Sequence, residues 1–60
     1  MGFYEDKRQA IVIIDNMSND GKSIDQIEYK IAARFGFGKR FVINRLKLLE
    51  SLKDVSRAST

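Results

Sequence analysis

The stretch Glu28–Lys47, EYKIAARFGFGKRFVINRLK, decides the fold of this 60-residue chain: two short amphipathic segments are separated by Gly36-Phe37-Gly38. Before the glycines, Ile31, Ala32 and Phe35 give a helix an apolar side. After them, Val42, Leu46 and Leu49 recur at the i, i+4, i+7 spacing of a second helix. Gly36 falls just past the last apolar residue of the first segment. A helix closes there at least cost in the left-handed conformation, which a residue without a Cβ adopts freely. The chain is therefore expected to turn at Gly36, with Ala32 one helical turn earlier as the small residue over which the next helix crosses. Phe37, held between glycines, is free to point back into the angle between the helices.

Upstream, Ser23 is an expected N-cap and Gln26, three residues on, completes a capping box; Asp25 favours the positive helix end. Ile24, Ile27, Ile31 and Phe35 form the inner face, so this helix is expected over about residues 24–35. Before the turn signal Ser18-Asn19-Asp20-Gly21, Ala10, Ile11, Ile14 and Met17, with Phe3 or Lys7, make a helical stripe over about residues 4–17. The β-branched run Ile11-Val12-Ile13-Ile14 also suits a buried strand. Length and the uninterrupted pattern favour helix. Four consecutive aliphatics imply a helix covered on more than one side, which marks Val12 and Ile13 as candidate partner contacts. The third helix is expected over about residues 39–52, with a frayed tail at 53–60 in which Val55 starts one strand at most. The fold class is all-α, a three-helix single domain.

Charge divides the chain. From Tyr29 to Leu49 there are six basic residues, Lys30, Arg34, Lys39, Arg40, Arg45 and Lys47, and no acidic one, whereas residues 1–28 carry six acidic against three basic. The net charge of +3 thus hides a dipole, and the basic stretch has the character of a phosphate-binding face. An ordinary solvated surface is the bland alternative.

Hinge spacing and basic charge together resemble the helix-turn-helix of bacterial and phage repressors and of archaeal winged-helix regulators. Ala32, Gly36 and Val42 stand where that pattern has its small residue, turn glycine and buried aliphatic, accompanied by Ile31, Phe35 and Phe37. The chain departs from it at Arg45, where an apolar residue is usual; Leu46 is expected to fill that site. The resemblance implies that the first exposed turns of the third helix enter the major groove of double-stranded DNA, which makes Lys39, Arg40, Ile43, Asn44 and Lys47 the candidate groove residues. Arg40 suits guanine, Asn44 adenine and Ile43 a thymine methyl, with Lys39 and Lys47 on phosphate. Lys30 and Arg34, on the preceding helix, are expected to hold the DNA backbone. Phe41, Leu48 and Leu52 form a further apolar stripe, more than a lone three-helix domain buries. A homodimer is one way to cover it, and monomer and dimer both stay open.

Composition sets the outer limits. Sixty residues make a single domain near the lower size for independent folding. The absence of cysteine and histidine removes disulfides, thiolate or imidazole metal sites and the usual acid–base and nucleophilic constellations, so neither an enzyme nor a cofactor is expected. No apolar run approaches the length of a bilayer span, and the start of the chain has no signal-peptide layout. A soluble cytoplasmic protein, nucleoid-associated and without a small-molecule ligand, is the expectation. Its leading function is sequence-specific DNA binding as a small transcriptional regulator. The alternative is a docking subunit of a larger assembly, and RNA binding is weaker, since the only aromatic rings expected at the surface for stacking are Tyr29 and Phe41.

Overall fold

The computed structural model of the chain describes the backbone of residues 2–59 and the side chains of residues 2–53. Three helices, α1 (Phe3–Asn19), α2 (Ile24–Phe35) and α3 (Lys39–Ser59), pack pairwise around one core, and no strand is present among the described residues. The segment with the β-branched run is helical: Ala10 and Ile14 are buried, Ile11 and Ile13 half-buried and Val12 exposed. Successive residues on a helix point about 100° apart, so four aliphatics in a row cannot all reach one core.

Both connections follow from local chemistry. Ser23 Oγ accepts the Gln26 backbone N–H at 3.2 Å, and Gln26 Oε1 accepts the Ser23 backbone N–H at 3.1 Å, which satisfies donors that the first turn of α2 leaves free. At the other end of α2, Gly36 has φ 76° and donates its N–H to the Ala32 carbonyl at 2.9 Å. The expected hinge is thus present, and Gly36 closes it in the left-handed region.

Ala10, Ile14, Ile27, Ile31 and Val42 are the fully buried core, with Ile13, Met17, Phe35, Phe37, Phe41 and Leu46 packed against it. Phe37 points back as expected. It stacks on Phe35 (centroids 5.7 Å apart, interplanar angle 12°), lies 4.7 Å from Phe41 and meets the edge of Phe3 at 6.1 Å. Three helix ends therefore meet around one ring of the turn.

Several expectations need correction. Ala32 is exposed, so it is not the residue over which α3 crosses; the buried side chains of α2 and α3 are Ile27, Ile31 and Val42. Ile24, the first residue of α2, is 51% exposed although it keeps the core spacing, and lines an open hollow with Ser18 of α1 and Leu46 and Leu49 of α3. α3 does not end near Leu52. Its backbone is helical through 59, with no strand beginning at Val55, where one at most was expected; no glycine or proline follows Gly38 to stop it. Thr60 lies outside the described residues.

Candidate nucleic-acid interface

Residues 39, 40, 43, 44 and 47 recur at the spacing of one helix face, and Lys39, Arg40, Ile43, Asn44 and Lys47 together line a single shallow hollow on the outer side of α3. Lys39, Arg40, Asn44 and Lys47 are exposed. Ile43 is half-buried, at the edge between this face and the core. None of the three cations forms an ion pair among the described residues, so their charge faces solvent uncompensated.

Their place on the helix sharpens the electrostatics. The N-terminus of a helix carries free backbone N–H groups and the positive end of its dipole. α1 meets that end with Glu5 and Asp6, and α2 with Asp25 and the capping box. α3 has no acidic residue in its first turn and starts with Lys39 and Arg40 instead, while Gly38 before it has no side chain with which to cap. Two cations at the positive end each cost a few tenths of a kcal/mol to about 1 kcal/mol. An anion at that end would relieve the cost and satisfy the free N–H groups.

Arg45 leaves the basic stretch. Its Nε donates to Asp15 Oδ1 at 2.9 Å and its Nη2 to Asp15 Oδ2 at 2.7 Å, a bidentate clamp between α3 and α1. Hydrogen bonding to the Asp15 carboxylate raises the guanidinium above its ordinary pKa; partial burial opposes the shift, and the charge attraction adds to it. Where an apolar residue was expected, the position is filled by a charge that carries its own partner. Leu46 packs against the core beside it, as expected.

Lys30 and Arg34 do not line the hollow on α3. Arg34 lies in a separate hollow with Gly2, Glu5, Asp6 and Gln9 of the α1 N-terminus, beside carboxylates rather than beside the other cations. Lys30, one turn earlier on the same side of α2, is exposed. Of the residues expected at an interface, Phe41 and Ile13 pack against the chain's own core. Leu48, Leu52 and Val12 are exposed, and Val12 points about 200° round α1 from Ile14, away from the α3 stripe. Glu28 was not singled out from sequence beyond closing the acidic half. Its Oε2 is buried and has no hydrogen-bond partner among the described residues.

No helix among the described residues is long and apolar enough to cross a membrane. Comparison of the chain with known protein families, with curated proteins and with solved structures finds no match.

Proposed function

We propose that the chain binds double-stranded DNA through the outer face of α3, as a small sequence-specific transcriptional regulator. The observation that carries this reading is the unpaired Lys39, Arg40 and Lys47 at an α3 N-terminus with no acid in its first turn. A helix that starts this way is least stable alone and gains most from a phosphate at its end. Arg40 and Asn44 sit one turn apart on the exposed face and have the donor and acceptor sets that read guanine and adenine in the major groove. Lys39 and Lys47 flank them as phosphate contacts, and two copies on one duplex would double the phosphate count.

Binding to labelled duplex DNA across a salt series tests the reading. A log–log slope equivalent to roughly three phosphates per chain is expected, falling by about one for Lys47→Ala, with site preference lost in Arg40→Ala/Asn44→Ala while affinity for random DNA persists. No binding at about 50 mM salt would refute it. A second reading, docking to another protein, is favoured by the exposed Leu48 and Leu52; it requires binding that survives Arg40→Ala/Asn44→Ala.

A further inference from the structure

α1 and α3 run in the same sense, since Phe3 meets Phe37 just before α3 and Asp15 clamps Arg45 further along it. The first turns of the two helices are therefore level with each other. Tyr4, Arg8, Ile11 and Asp15 recur at the spacing of one helix face and lie within about 60° of one another round α1. Asp15 bonds Arg45, and Ile11 lines a hollow with Phe41, Asn44 and Leu48, so this flank of α1 is the one turned to α3. Lys7, one turn before Ile11, lines the same hollow. Asn44 lines both it and the hollow of Lys39, Arg40, Ile43 and Lys47, so the two adjoin at a residue of the α3 outer face.

Charge on the first turns of α1 is sorted by flank. Glu5 and Asp6 lie towards α2, in the hollow with Arg34. The flank towards α3 carries Lys7 and Arg8, both exposed and neither in an ion pair among the described residues, and its acid, Asp15, is taken up by Arg45. Lys7 Nζ stands 5.7 Å from the centroid of the Phe3 ring, a contact that steadies the side chain without cancelling its charge. Tyr4 is 83% exposed and adds a hydroxyl donor on the same flank. On α2 the cations are placed differently. Arg34 lies against α1, and Lys30, four residues earlier, shares that side of its helix.

We propose that Lys7 and Arg8 hold the phosphates of a duplex whose major groove receives the outer face of α3, and that Lys30 and Arg34 do not. The inference rests on the DNA-binding reading. Packed helices lie about 8–10 Å apart and the major groove is about 12 Å wide. With α3 along the groove, the strand that bounds it on the α1 side therefore runs beneath Lys7 and Arg8. These two cations join Lys39 and Lys47 in supplying the roughly three phosphate contacts per chain. Contacts from one helix alone leave it free to roll about its own axis, and a phosphate held from a second helix removes that freedom and fixes which side chains of α3 face the bases.

The test is the salt dependence of binding to a random-sequence duplex for two variants that remove the same charge. Lys7→Ala/Arg8→Ala is expected to lower the log–log slope by at least about one, and Lys30→Ala/Arg34→Ala to leave it within about 0.3 of the parent chain. All four side chains are exposed, so the far-ultraviolet circular dichroism of both variants should stay helical. Arg8→Ala alone, which keeps the contact of Lys7 with Phe3, should carry at least half of the loss, and Arg8→Lys should restore the slope. An unchanged slope in Lys7→Ala/Arg8→Ala, or an equal fall in the two double variants, would overturn the proposal while DNA binding itself stands. No binding by the parent chain at about 50 mM salt would instead overturn the DNA reading and this inference with it.

Discussion

Removing the clamp between Asp15 and Arg45 should destabilise the domain out of proportion to one surface ion pair. Fully exposed pairs contribute about 0.2–1 kcal/mol, and breaking a fully buried one costs about 3–5 kcal/mol. Here the Arg45 and Asp15 side chains are 23% and 34% exposed and the contact is bidentate, which places the pair between those limits. A coupling of about 1–1.5 kcal/mol is expected between Arg45→Ala and Asp15→Ala in a double-mutant cycle read by urea unfolding, with each single change costing about 1.5–2 kcal/mol. For a domain this small the midpoint of thermal unfolding should fall by roughly 6–16 °C. The sign of the pH dependence follows from the raised Arg45 pKa. Its contribution is full below the unfolded-state value and is lost only as pH climbs through the still higher folded value, so Arg45 adds no slope between about pH 5 and 9. Because its charge is already neutralised, Arg45→Ala should also leave the salt slope of DNA binding unchanged, unlike Lys47→Ala. A coupling within about 0.3 kcal/mol of zero would refute the clamp. A slope lowered as much as by Lys47→Ala would return Arg45 to the phosphate-binding set.

Three further changes probe the local physics. Gly36→Ala should cost about 1–2 kcal/mol by chemical denaturation; a Cβ there meets nothing within 4 Å, so the whole loss is the left-handed backbone, and Gly36→Asn should cost less. Ser23→Ala removes the cap of α2 and should cost about 1 kcal/mol, seen as a lower urea midpoint at unchanged m-value. Glu28→Met, which replaces a carboxylate whose buried Oε2 has no partner among the described residues, should raise the thermal midpoint, and a fall of more than a few degrees would mean that the carboxylate has a partner in solution.

What the sequence makes legible is what a few neighbouring residues decide. The Ser23–Gln26 box and the Gly36 closure each involve residues no more than four apart, and both are present where the spacing put them. The grouping of Lys39, Arg40, Ile43, Asn44 and Lys47 is legible for the same reason, since a single helix fixes which of its residues share a face. Residues that depend on how helices cross are not legible in this way. Arg45 finds Asp15 thirty positions away, and no periodicity carries that pairing. Arg34 shares the basic stretch in sequence, yet the packing of α2 on α1 brings it beside Glu5 and Asp6. Ala32 is next to Ile31, but the side on which α3 crosses α2 leaves it in solvent. The extent of α3 was underestimated because its last turns lack a regular apolar pattern, and nothing in them breaks a helix.

The ring of Phe37 is a side chain of the connection between α2 and α3, and it is also part of the packed interior, in contact with Phe3, Phe35 and Phe41. The two connections of this chain are therefore unequal in their tolerance of added length. Residues 20–23 are all exposed, and a residue added between Lys22 and Ser23, clear of the bonds that close α1 and cap α2, adds only a slowly growing closure entropy. One residue added among 36–38 would withdraw an aromatic from three neighbours at once and swing α3 relative to α2. Variation in chain length should thus collect between α1 and α2, while the spacing from Gly36 to Lys39 stays fixed.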